Sequence, residues 1–239
     1  MQIIGHRGAA GLAPENTLAS IHAALEAGVD WIEFDVHATK DGHVVLVHDP
    51  HTLRVGPHLR FISRTTRAQL QSLKTYSKQP IMTLEDAMDA VIDKAKINIE
   101  IKSRSCAEKV VKNIGRLVKK GYSYDRFFIS SFQPAILRRV QQLNPNIPLA
   151  LLHASMPLRF MVERDLNLSA VGFYHRLLSP ALVKRARKRG LLVYAYTVNS
   201  KSRAATLARW GVQAIVTNYP NYFNFSKKER VLSNVEMSS

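Results

Sequence analysis

Glu33 and Asp35 stand two residues apart in the apolar run Trp31 to Val36. If that run is a strand, both carboxylates point to one face, where they repel unless a cation or a shared proton intervenes. Glu100 and Lys102 repeat the spacing at the end of the run Ile97 to Ile101, and His6 and Arg7 follow the first run, Ile3-Ile4. Asp41-Gly42 suits a two-residue hairpin turn, which would fold Val44 to Val47 back on the second strand and set His48 opposite Asp35. Converging carboxylates without cysteine suit a hard divalent cation, Mg²⁺ or Ca²⁺, better than zinc. With Arg7 and Lys102 beside it, such an ion would neutralise a phosphate, and two imidazoles would move protons near neutral pH.

Each of these residues also has a bland reading. A strand-end histidine is usually a hydrogen-bonded structural group, Glu-x-Asp can mark a surface edge, and Glu100 with Lys102 can be an exposed ion pair. Their shared position, at successive strand ends with matching parity, favours the chemical reading. In Pro14-Glu15-Asn16-Thr17, by contrast, Asn16 or Thr17 caps the following helix and Glu15 receives no direct chemistry.

The elements that must position these groups recur along the chain. Eight short apolar runs begin at Ile3, Trp31, Ile97, Phe127, Leu149, Ala170, Leu191 and Ala214. Amphipathic stretches alternate with them: Thr17 to Ala27, Leu84 to Lys94, Ala107 to Lys120, Pro134 to Leu143, Pro180 to Arg189 and Ser202 to Trp210. Near-continuous apolar strands alternating with helices specify a parallel sheet covered by helices. Eight units favour an α/β fold closed as a (β/α)8 TIM barrel over an open doubly wound sheet, with active-site residues at the C-terminal ends of the strands. The reading is one catalytic domain over 1–225, with a small polar and basic insertion at about 50–80 after the second-strand hairpin, holding one short helix near Thr66 to Leu73. A loose C-terminal tail over 226–239 completes it.

The chain has 239 residues, 46% hydrophobic and 22% charged, which excludes disordered and fibrous classes. No apolar run approaches the ~18 residues of a membrane span. The start of the chain lacks the pattern of a secretory leader, and the single cysteine, Cys106, fits a reducing compartment, so a cytoplasmic protein is expected. Cys106 itself reads as a small residue near a helix start, not a nucleophile. The net charge of +16 raises the local concentration of anionic partners without choosing among phosphoesters, nucleic acid and lipid headgroups. Its basic residues are spread along the chain and read first as solvated helix faces. A nucleic-acid-binding module is a competing class, but no recognised motif supports it.

The ordered set His6-Arg7-Gly8, Pro14-Glu15-Asn16-Thr17, Glu33-Phe34-Asp35-Val36, Asp41-Gly42, His48-Asp49, Glu100-Ile101-Lys102 and Tyr196-Thr197-Val198-Asn199 resembles the glycerophosphodiester phosphodiesterase family. The resemblance implies a (β/α)8 barrel, one divalent cation, and hydrolysis of glycerophosphodiesters to sn-glycerol 3-phosphate and an alcohol. It further implies His6 and His48 as the acid and base pair, Glu33, Asp35 and Glu100 as metal ligands, and Arg7, Lys102 and Tyr196 as phosphate and substrate contacts. It also suggests that a glycerol hydroxyl of the substrate attacks phosphorus, giving a cyclic phosphate that water opens. The partner expected is a small-molecule substrate, with no nucleic acid and at most transient contact with an anionic membrane surface. A lysophospholipase D-like activity on membrane lipids is the alternative within the same chemistry. Two departures, Tyr196 where relatives often have tryptophan and Asn218 where they often have aspartate, point to an altered alcohol-binding pocket.

Overall fold

The computed structural model describes residues 1–155 and 163–223. The tail expected at 226–239 lies outside them. Nine strands form: β1 (Gln2–Gly5), β2 (Trp31–Ala38), β3 (Val44–Leu46), β4 (Lys96–Ile101), β5 (Phe127–Ser131), β6 (Leu149–His153), β7 (Ala170–Tyr174), β8 (Leu192–Tyr196) and β9 (Ala214–Thr217). All but β3 pair in parallel, and β1 pairs with both β2 and β9, so eight strands close into a barrel. The wall carries α1 (Leu18–Glu26), α3 (Leu84–Val91), α4 (Ala107–Lys119), α5 (Pro134–Leu143), α6 (Pro180–Arg187) and α7 (Lys201–Arg209), while α2 (Arg67–Gln71) belongs to the excursion after β3.

Strands covered on both faces must be apolar on both, and β2 is buried at every position. Ile32, Phe34, Ile97, Ile99, Phe127 and Ile129 face the helices in the main core. The opposite parity fills the barrel with Ile4, Trp31, Phe128, Ala150, Leu152, Ala170, Tyr194, Ala214 and Val216. Trp31 meets Phe128 edge-on at 4.9 Å between ring centroids. This plug is the floor of the site. Two residues beyond each of Ile4, Trp31, Tyr194 and Val216, on the same parity and nearer the strand ends, stand His6, Glu33, Tyr196 and Asn218.

The hairpin corrects one expectation. Val36, His37 and Ala38 pair with Leu46, Val45 and Val44, and Thr39 N–H donates to the His43 carbonyl. The loop is therefore Lys40-Asp41-Gly42, three residues long, with Gly42 at φ 80° supplying the left-handed step that such a loop requires. This shifts the register by one, so Val47, not His48, lies against Asp35, its N–H donating to the Asp35 carbonyl at 3.1 Å. Regular pairing ends there, and the departing chain carries His48 instead.

Beyond the hairpin, the short helix expected near Thr66 is α2, capped by the Thr66 side chain. Ile62, Leu70 and Ile81 from the excursion pack on Val45 and Val47 in a satellite core. The excursion is thus fixed to the outer side of β3, next to the barrel mouth. Among the described residues, no helix is long and apolar enough to cross a membrane.

Candidate active site

Register brings the acids together. The parallel pairing of β2 with β4 sets Asp35 beside Glu100, and Glu33 lies one inward step below Asp35. One carboxylate oxygen from each of the three lies within 4.8 Å of those of the other two. Arg7 follows β1 with φ 52°, donates its N–H to Glu33 Oε2 at 2.9 Å, and sets Nε 2.9 Å from Asp35 and Nη1 2.8 Å from Glu15. Lys102 places Nζ 3.0 Å from Asp35 Oδ1 and also contacts Glu100. The Asn16 amide reaches Asp35 Oδ2 at 3.4 Å, while Thr17 caps α1. Glu15 therefore acts on the site by holding Arg7, a role that the capping interpretation of its motif did not reveal.

Four carboxylates thus share two cations, and the balance shows in their acidities. Burial, then the charges of Asp35 and Glu100, push Glu33 well above the usual carboxylate range. Burial and the Asp35 charge raise Glu100 to about 7. Burial works in the same direction on Asp35, but Lys102 and Arg7 outweigh it and hold this carboxyl low. Glu33 Oε1 is buried with no hydrogen-bond partner. A buried carboxyl oxygen without a partner beside two further carboxyl groups, with no thiolate in the set, fits a hard divalent cation, whose charge would offset the repulsion among them.

The two histidines come from different loops but meet in the field of this cluster, since both act electrostatically on Asp35 and on each other. His6 Nδ1 lies 2.6 Å from Asn218 Oδ1. An amide oxygen only accepts, so Nδ1 donates and the lone pair resides on Nε2. Burial, then the Arg7 charge, lower His6 to about 4. His48 Nδ1 lies 2.6 Å from Asp49 Oδ1, and the Asp49 carboxyl sits at about 2, where the hydrogen bonds from His48 and Arg54 outweigh burial. Arg54 comes from the excursion, with Nε 3.0 Å from Asp49 Oδ2 and 3.8 Å from Glu15 Oε1. His37 Nε2 contacts the His48 carbonyl at 3.1 Å and braces the segment as it leaves β3.

Tyr196 lines one small cavity with His6, Glu33, Glu100 and the plug residue Tyr194. Its hydroxyl is buried, and burial together with the Glu100 charge raises its pKa. Asn218 stands on His6, so this departure touches the imidazole. The spacing of two between Val216 and Asn218 was the available signal. Cys106 is buried, donates weakly to the Val36 carbonyl and is pushed up to about 11 by burial, as a structural thiol would be.

Comparison with known proteins gives the family. Residues 6–222 match the Glycerophosphoryl diester phosphodiesterase family. The chain is 32% identical over 234 residues to a glycerophosphodiester phosphodiesterase of Caldanaerobacter subterraneus subsp. tengcongensis, covering 91% of this chain and 94% of that protein. It is 30% identical over 251 residues to a glycerophosphodiester phosphodiesterase of Bacillus subtilis, covering 94% and 86% respectively. Its fold superposes on an Oleispira antarctica phosphodiesterase, solved in complex with the product sn-glycerol-3-phosphate, with a TM-score of 0.84 and 27% identity over 99% of this chain and 97% of that one. Matched to this family over nearly its whole length, the chain belongs to the glycerophosphoryl diester phosphodiesterases.

Proposed function

We propose that the protein hydrolyses glycerophosphodiesters to sn-glycerol 3-phosphate and an alcohol, using one divalent cation, Mg²⁺ or Ca²⁺, held by Glu33, Asp35 and Glu100. The observation that carries this reading is the convergence of three carboxylates within 4.8 Å, one with an orphaned oxygen, beside two oriented imidazoles. The bound ion would supply Lewis-acid stabilisation of charge on the phosphoryl oxygens.

The chain's own residues then divide the remaining work. Arg7 and Lys102 present fixed cations to the phosphate, and Glu15 and Asp35 hold the Arg7 guanidinium in place. His6, neutral at physiological pH and with its lone pair on Nε2, takes a proton from the attacking hydroxyl, be it water or a hydroxyl of the glycerol moiety. His48, oriented by Asp49, gives a proton to the leaving alcohol. Proton transfer by positioned groups contributes about 10²- to 10⁴-fold. Tyr196 borders the substrate moiety nearest Glu100. A panel of glycerophosphodiesters assayed in EDTA and after return of Mg²⁺ or Ca²⁺ tests the proposal: hydrolysis is expected only after the ion is returned, and undiminished hydrolysis in EDTA would refute it.

A further inference from the structure

The +16 charge is not evenly distributed. Eight lysines and arginines stand between residues 180 and 209, with no aspartate or glutamate from Leu166 to Phe223. Elsewhere on the wall several basic side chains meet acids: Arg116 with Asp89, Arg138 with Glu163 and Asp165, Arg139 with Glu108, Lys96 with Asp125. The lysines of α4 form no such pair among the described residues, but the groove that Lys109 and Lys112 line also holds Asp41 and Glu85. On α6, Val183 and Ala186 turn inward, so Lys184, Arg185, Arg187 and Lys188 are exposed on the outer side. Lys184, Arg187 and Lys188 line one shallow groove with Arg209 and Trp210 of the neighbouring helix end. Among the described residues none of these four cations forms an ion pair. Arg203 lies over the Trp210 ring at 4.9 Å.

We propose that the outer face of α6 and α7 docks on an anionic lipid bilayer. Two helices side by side in a barrel wall make a broad, shallow cationic surface, complementary to a broad anionic one. Sequence-specific reading of nucleic acid characteristically uses a helix or ribbon entering a groove. Clustered lysines and arginines are drawn to acidic lipid headgroups within a Debye length, and a tryptophan edge suits the headgroup layer. The helices after β7 and β8 run from the barrel mouth towards its base, so Arg187, Lys188 and Arg209 lie near the base. Docking there leaves the mouth open to solvent.

The test is co-sedimentation of the full chain with vesicles of phosphatidylcholine alone and of phosphatidylcholine mixed with phosphatidylglycerol, at low and high salt. Binding is expected to the acidic vesicles only and to weaken as salt rises. A variant carrying Lys184→Glu, Arg187→Glu, Lys188→Glu and Arg209→Glu should lose about tenfold or more of that binding. A variant of equal charge change on α4 and its end, Lys109→Glu, Lys112→Glu, Lys119→Glu and Lys120→Glu, should keep most of it. Thermal melts establish that each variant is folded, and glutamine replacements serve if charge reversal prevents folding. No sedimentation with acidic vesicles, equal losses in the two variants, or tighter binding of duplex DNA than of the vesicles would overturn the proposal.

Discussion

His6 Nδ1 lies 2.6 Å from Asn218 Oδ1, a contact across 212 residues that joins the ends of the first and last barrel strands. A neutral amide fixes the imidazole tautomer without adding charge, while burial and then the Arg7 charge keep the ring neutral far into the acid range. As a base, His6 works only when deprotonated, so its limb of the pH profile falls as pH drops towards about 4.

Asn218→Asp puts a carboxylate against the ring and should raise the His6 pKa, moving the acid limb of kcat/KM to higher pH. Profiles of the two proteins check this, and an unmoved limb would separate Asn218 from the working base. Asn218→Leu should lower turnover at every pH, because the tautomer is no longer set.

His48→Ala is expected to cost at least ~10²-fold in kcat with an unchanged thermal melt. Asp49→Asn should cost less, since it weakens the orientation of the ring and leaves the ring in place. A folded His48→Ala protein with undiminished turnover would remove this histidine from the chemistry.

Arg54 connects two supporting contacts, Asp49 behind His48 and Glu15 behind Arg7. Groups that orient a site's primary residues typically matter about 10- to 100-fold. Arg54→Ala should therefore lower kcat/KM towards the small end of that range, and combination with Asp49→Asn should add little. Full additivity in such a double-mutant cycle would show that the two residues act apart.

The acid cluster makes stability depend on pH and on cations together. Glu100 binds its proton more tightly in the folded state, moving from 4.5 to about 7, because of burial and the Asp35 charge. Its favourable contribution is complete below pH 4.5 and is lost as pH rises through about 7. In chelator the melting temperature should fall across that window. Mg²⁺ or Ca²⁺ should raise it more on the alkaline side than on the acid side, and Glu100→Gln should flatten the fall. A cation effect independent of pH would contradict this coupling.

Much of this arrangement was legible in the sequence because it rests on the two-residue period of strands. Trp31, Glu33 and Asp35 share one parity, as do Tyr194 with Tyr196 and Val216 with Asn218, and closure of the barrel brings these inward rows together. The hairpin was harder. A two-residue and a three-residue loop differ by one residue, Asp41-Gly42 fits both, and only the pairing of Thr39 with His43 distinguishes them. His48 reaches the site although the assumed register was wrong, because pairing stops at Val47. Glu15, Asp49 and Arg54 were not read as supports, since their contacts follow the paths of loops that no strand or helix period encodes, and Asn218 was read as part of the alcohol pocket although its spacing from Val216 put it on the inward row. The cations of α6 and α7 were visible as composition, but only the groove that Lys184, Arg187, Lys188 and Arg209 share shows them as one surface.

Counting the ions bound per chain tests the central claim most directly. Chelator-stripped protein titrated with Mg²⁺ or Ca²⁺ in a calorimeter, with hydrolysis followed on the same samples, should bind a single ion and regain activity in proportion. Glu33→Gln and Glu100→Ala should weaken both together. Full hydrolysis by the stripped protein, or unaltered ion binding in both variants, would contradict the account.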